Sequence, residues 1–280
     1  MQEQTSVLLD NLAFPEGPRW HDGKLWFSDM HGGVVMTVDP AGRAETVVEV
    51  PGRPSGLGWD RQGRLLLVSM RDRRLLRLDG DGLSSVADLS TLASFDTNDM
   101  VVDRNGNAFI GNFGFDLDAK ADFAPAELIR VAPDGTATVV ATDMAFPNGM
   151  VITPDGGTLI VAETYGNRLT AFDLGADGSI GNRRVWAALD GHYPDGICLD
   201  AEGAVWVACP RSASVLRVRE GGEITHRVGV STRAYACMLG GADRRTLFIC
   251  TARTTGPITR ELRSGRIETL TVDVPGAGLP

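Results

Sequence analysis

Short apolar runs recur along the chain, each behind a turn built from Asp and Gly. Leu25-Trp26-Phe27 follows Asp22-Gly23, and Leu65-Leu66-Leu67-Val68 follows Asp60 and Gly63. Ala108-Phe109-Ile110, Leu159-Ile160-Val161, Val205-Trp206-Val207 and Leu247-Phe248-Ile249 stand in the same relation to Asp103, Asp155, Asp200 and Asp243. Runs of this length behind such turns predict β-hairpins. Most units continue into a further strand and turn, such as Val35-Met36-Thr37-Val38 before Asp39-Pro40-Ala41-Gly42. No stretch sustains a helical period.

Each unit therefore holds about four short strands, and the spacing falls in the roughly 40–50 residue range of propeller blades. Six units account for nearly the whole chain, which predicts an all-β, six-bladed propeller over residues 1–280 as a single domain. A long β-sandwich needs no six units in matching phase. Ser6-Val7-Leu8-Leu9 is an extra apolar strand with no blade of its own. It is expected to pair with the last blade near Ile267-Glu268-Thr269-Leu270, covering an open edge and joining the two ends of the chain.

A second repeat overlies the first. Pro15-Glu16-Gly17, Pro54-Ser55-Gly56, Thr97-Asn98-Asp99, Pro147-Asn148-Gly149 and Pro194-Asp195-Gly196 share one phase, with Tyr235-Ala236-Cys237 as a degenerate sixth copy. Central residues lie 39, 43, 50, 47 and 41 positions apart. At the start of each inner strand they form a ring at one mouth of the central channel. Glu16, Asn98, Asn148 and Asp195 bring side-chain oxygens to it. Any one Pro-Asn-Gly alone reads as a turn. Four oxygen donors in one phase read as a site, and Ser55 and Ala236 show that the turn itself does not demand them. Two converging carboxylates repel each other and lose hydration unless a cation sits between them. An all-oxygen set favours Ca²⁺ or Mg²⁺, with Mn²⁺ or Fe²⁺ next and Zn²⁺ last. Four protein ligands leave room for water and substrate.

Composition narrows the partners. A net charge of −9, spread along the chain, argues against nucleic acid and anionic membrane. No apolar run approaches the roughly 18 residues needed to cross a bilayer. Met1 to Thr5 show no basic segment leading into an apolar stretch, so no export signal is expected. Cys198, Cys209, Cys237 and Cys250 form no close Cys-x-x-Cys pair and are expected on inner strands as reduced packing residues of a cytoplasmic protein.

The residues Glu16-Gly17-Pro18-Arg19-Trp20, Asn98-Asp99, Pro147-Asn148-Gly149 and Tyr193-Pro194-Asp195-Gly196 together resemble the SMP-30/gluconolactonase family, the regucalcin-like sugar lactonases, over essentially the full length. The resemblance implies a six-bladed propeller with one catalytic divalent metal, and places Glu16, Asn98, Asn148 and Asp195 at or beside it. It implies lactone hydrolysis, with organophosphate hydrolysis in a related branch. Many of these sugar lactonases carry Arg two residues before the Asn-Asp pair, where it meets sugar hydroxyls. Here that position is Asp96, and an acid cannot replace a guanidinium fork.

The resemblance implies a metal-dependent lactonase. Asp96, with the apolar residues expected to line the pocket, tilts its substrate toward a small lactone or ester less polar than a sugar lactone; a monomer or weak homo-oligomer is expected. Asp195 is the candidate general base and Asn98 is grouped with it as catalytic. His192, three residues away, is the second candidate base. No Gly-x-Ser-x-Gly elbow supports a serine nucleophile. Asp96, Asn112, Phe113, Tyr165, His192 and Tyr193 are expected to line the pocket, with Phe14, Phe146 and Met238 adding apolar surface. The long insertion from Gly114 to Ala126 is a candidate lid. A phosphotriesterase using the same ion, and a non-catalytic Ca²⁺-binding propeller, are the alternatives. A strictosidine-synthase-like propeller lacks this ligand set.

Overall fold

The computed structural model describes residues 5–278, so the stretch read for an export signal lies almost wholly outside it. Six four-stranded antiparallel sheets make up the fold. Their inner strands are Pro15–His21, Pro54–Trp59, Thr97–Val102, Pro147–Ile152, Ile197–Leu199 and Arg233–Gly240. Each inner strand touches the inner strands of both flanking blades, and the sixth returns to the first, so the ring is closed. Helix among the described residues is limited to Thr259–Leu262 and a 3-10 turn at Pro210–Ser212. No described helix is long and apolar enough to cross a membrane.

The turn chemistry works as the sequence implies. In blade two, Asp60 Oδ1 accepts from the backbone N–H groups of Gln62 and Arg64, and Gly63 takes the positive φ that closes the turn. Asp39, Asp103 and Asp200 repeat the pattern in blades one, three and five. The strands behind these turns supply the core, with Phe27, Leu67, Phe109, Val161 and Val207 all fully buried. Burying each such side chain is worth about 1.5–3 kcal/mol.

Closure is as expected. Ser6–Leu12 joins the last blade as its fourth strand, pairing Ser6 with Thr269, Val7 with Glu268 and Leu9 with Ile267. The other end of the chain does something the repeat did not foretell. Beyond the last strand, Gly276 N donates to Arg244 O and Ala277 N donates to Leu199 O, carrying the tail from blade six to blade five. Ala277 and Gly278 then line a small void with Arg19, Val101, Ile152 and Met238. The tail thus caps the end of the channel opposite the repeated phrase. Met238 belongs to this capped end, not to the mouth where it was expected.

All four cysteines are free and buried. Cys198 and Cys237 lie on inner strands, whereas Cys209 and Cys250 lie on the second strands of their blades. Burial pushes the Cys209 thiol up to about 12 and those of Cys237 and Cys250 well above their ordinary value. Such thiols are inert packing groups.

The Gly of the repeated phrase has a packing cause. A Cβ on Gly56 would lie 2.3 Å from the Met100 nitrogen of blade three, and one on Gly149 would lie 2.5 Å from the Ile197 nitrogen of blade five. Inner strands crowd together around the axis, so in blades two and four the position after the central residue admits little beyond hydrogen. Across the phrase itself, the pairing register of the inner strand shifts in blades one, two, three and four. Bulges of this kind re-aim a side chain out of the pleat.

Candidate metal centre

The four predicted ligands come together. Asn98 Nδ2 donates to Asn148 Oδ1 at 3.2 Å. The Asn148 amide lies close enough to the Asp195 carboxylate to favour its charge, and Asp195 acts electrostatically on Glu16. Glu16, Asn98 and Asn148 are each 5% exposed. Burial first, then the Asp195 and Asp99 charges, raise the Glu16 carboxyl well above the ordinary range. Burial first, then Asp99, do the same to Asp195, against the Asn148 amide. Asp99 is raised by burial and steadied by Arg19.

Among the described residues no cluster of three His, Cys, Asp or Glu side chains is set for a metal. The ring supplies two such groups, so a bound ion would depend on the two amides as well. The buried Glu16 and half-buried Asp195 carboxylates, mutually repelling and flanked by amide oxygens, fit a hard divalent cation, which offsets the cost of ionising both.

Supporting residues not foreseen from sequence surround the ring. Ser55, the central residue of the second copy, donates through Oγ to the Asn98 carbonyl at 2.6 Å. Thr164 accepts from Asn148 Nδ2 at 3.2 Å and donates to the Pro194 carbonyl at 2.8 Å, linking blade four to the Asp195 loop. Arg19, fully sheltered, donates to the Pro18 and Met100 carbonyls. The shared phase flagged Ser55; nothing local flagged Thr164.

Above the ring, Phe14, Met30, Met70, Tyr235 and Ala252 form an apolar collar, with Phe113 packed against it. Phe113 also stacks on Phe146 with centroids 4.6 Å apart. The insertion after Phe113 docks through Phe115, which meets Phe146 and Tyr165 at 5.9 and 5.7 Å. Phe123 packs on Tyr165 at 5.9 Å, so the insertion forms a wall of blades three and four.

The remaining expected pocket residues fall into different places. Asn112 is fully buried, and its amide serves the insertion by bonding Glu127 and the Gly114 N–H. Tyr193 is half-buried beneath the Arg211 guanidinium, 3.7 Å above its ring. His192 Nε2 faces Arg227 at 3.5 Å, and burial and that charge hold its pKa below the ordinary value. Asp96 lines a cavity of about 270 Å³ with Arg71, Phe113 and Asp118.

Asp96 has company that the sequence reading did not supply. Its carboxyl is raised by burial and held down by the charges of Arg53 and Arg71. Arg53 occupies in blade two the position, two before the central residue, that Asp96 occupies in blade three. It is 7% exposed and sits 3.5 Å from Asp118. A guanidinium is therefore present near the mouth, one blade away from where the family pattern puts it.

Residues 14–253 match the family model described as the SMP-30/Gluconolactonase/LRE-like region. The chain belongs to this family. Among its relatives, a pentonolactonase of Haloferax volcanii is 28% identical over 89% of this chain and 84% of its own length. A 6-deoxy-6-sulfogluconolactonase of Pseudomonas putida is 28% identical over 98% and 96%. The crystal structure of a calcium-binding protein, regucalcin, from Agrobacterium tumefaciens superposes with a TM-score of 0.84 at 26% identity, covering 100% of this chain and 97% of that one.

Proposed function

We propose that this SMP-30/gluconolactonase family member is a divalent-metal-dependent lactonase, with Ca²⁺ the leading ion and Glu16, Asn98, Asn148 and Asp195 its ligands. The observation that carries the reading is the convergence of two upward-shifted carboxylates, Glu16 buried and Asp195 half-buried, with two amides at one channel mouth. Two relatives named as lactonases and one named as calcium-binding support it. When bound, the ion would polarise the lactone carbonyl and stabilise negative charge on its oxygen.

The chain's own groups supply the rest. Asp195, desolvated and close to other negative charge, has a strengthened affinity for a proton and serves as base toward water. His192, engaged by Arg227, is the poorer base. Asn148 orients Asp195, and the Thr164 bridge holds both. The apolar collar supports a lactone less polar than a sugar lactone, with one polar substituent turned toward Arg53 and Asp96.

The test is a metal-dependent screen of sugar, aliphatic and aromatic lactones, with calorimetric Ca²⁺ titration alongside. Turnover that stops on chelation and is lost in Asp195→Ala supports the reading. Full activity in that variant removes Asp195 as base. The likeness to a calcium-binding regucalcin favours one second reading, a propeller that binds Ca²⁺ without catalysis. Ca²⁺ binding with no hydrolysis of any lactone in the screen would select it.

A further inference from the structure

Tyr235 is an unexplained feature of the collar. Its ring stands against Phe14 with centroids 4.6 Å apart, and the residue is 6% exposed. Its hydroxyl is shielded from solvent and makes no hydrogen bond of good geometry, the Arg233 guanidinium being the nearest group able to donate to it. A phenylalanine would fill the same space without leaving a buried polar group unsatisfied, which is costly. The hydroxyl lies within the electrostatic reach of Arg233, Asp195 and Glu16. Burial is the main force pushing it up to about 12, so it keeps its proton and can donate it to an anionic or carbonyl oxygen.

Its backbone is fixed to the metal ring. The Tyr235 carbonyl accepts from Gly196 N at 2.8 Å, in the phrase that carries Asp195. Ala236, the next residue, is the ring position without an oxygen. The pairing register shifts between Ala234 and Ala236, so the strand is irregular where Tyr235 departs from it. An aromatic hydroxyl thus accompanies the blade that gives no ligand.

We propose that Tyr235 is a substrate-contacting residue whose hydroxyl donates a hydrogen bond to an ester oxygen of the lactone. The assignment rests on the lactonase reading above. The phenol keeps its proton throughout. The bond strengthens as negative charge grows on the substrate oxygen, and such donors accelerate acyl transfer. The missing partner in the resting protein is the substrate.

The experiment compares Tyr235→Phe with wild type, both calcium-loaded, on a lactone that wild type opens, and measures Tm of both without metal. The expected result is a fall in kcat/KM of about 10- to 100-fold with Tm unchanged or higher, because the variant lacks only an unpaired hydroxyl. A lower Tm would mean the hydroxyl has a structural partner and would overturn the proposal. Equal kcat/KM in an active wild type sinks the proposal and leaves the lactonase reading standing. A wild type inactive on every lactone sinks both.

Discussion

Ser55 Oγ donates to the main-chain carbonyl of Asn98 at 2.6 Å, so a blade with no amide or carboxylate in the ring holds the backbone of one that has one. Ser28 continues the chain of contacts by donating to the Ser55 carbonyl at 2.7 Å. Supports of this kind commonly alter metal affinity about 10- to 100-fold. Ser55→Ala is expected to weaken Ca²⁺ binding into that range and to cost about 1–3 kcal/mol through the unsatisfied carbonyl. Calorimetric titration and chemical denaturation measure both. An unchanged Kd would reduce Ser55 to a spacer.

The carboxylates make a prediction about pH. Glu16, Asp195 and Asp99 all have folded-state pKa values raised above those of the unfolded chain. The folded protein therefore holds more protons, and its metal-free stability falls as pH rises from about 4, the ordinary carboxylate range. Saturating Ca²⁺ should remove that slope, and Glu16→Gln should both flatten it and abolish the Ca²⁺-induced gain in Tm. Melting with and without chelator across pH tests this. A slope indifferent to Ca²⁺ would count against an ion at the ring.

His31 works in the opposite sense. Burial first, then the charges of Arg53, Arg260 and Arg71, depress its pKa to about 3. Between that value and the ordinary 6.5 the unfolded chain gains a proton that the fold refuses. The stability this neutral imidazole permits is present above the unfolded value and lost as pH falls, by roughly a few kcal/mol at most. His31→Asn should hold its Tm better than wild type on acidification. Parallel acid profiles would contradict this.

Gly56 tests the packing of the repeated phrase. Its missing Cβ leaves room for the Met100 nitrogen 2.3 Å away, and backbone cannot yield cheaply there. Gly56→Ala should cost more than about 3 kcal/mol, at the severe end for a single substitution. The readout is the denaturation midpoint, or recovery in inclusion bodies. Near-wild-type stability would show that the inner strands can spread apart.

Arg53 tests the relocated cation. Arg53→Met should raise KM for polyhydroxylated or anionic lactones several-fold more than for aliphatic ones. Equal effects on both classes would make Arg53 a structural partner of Asp118.

The sequence displayed the blades because strands, turns and their phase are local properties. Asp60 and Gly63 announce a hairpin wherever they fold. Glu16, Asn98, Asn148 and Asp195 were legible because a closed repeat converts equal phase into proximity. What escaped were side-chain relations, within and between blades, that carry no shared phase signal. Thr164 reaches Asn148 and Pro194 from a loop, and Asn112 turns away to brace the insertion. Asp96 looked like the loss of a cation because its neighbour Arg53 is 43 residues earlier in the chain. The capping tail has no counterpart in the repeat, so periodicity carried no trace of it.

The pairing of Ser6–Leu12 with Gly265–Thr271 sets an order of events during synthesis. The first strand of the propeller to be made has its partner in the last. Five blades can form while that strand waits, and the sixth remains open-edged until translation has passed Thr271. The ring oxygens of blades one and five reach each other only after closure can begin. An ion held by the proposed ring would therefore bind only the closed propeller, and its binding would report on completed ring assembly.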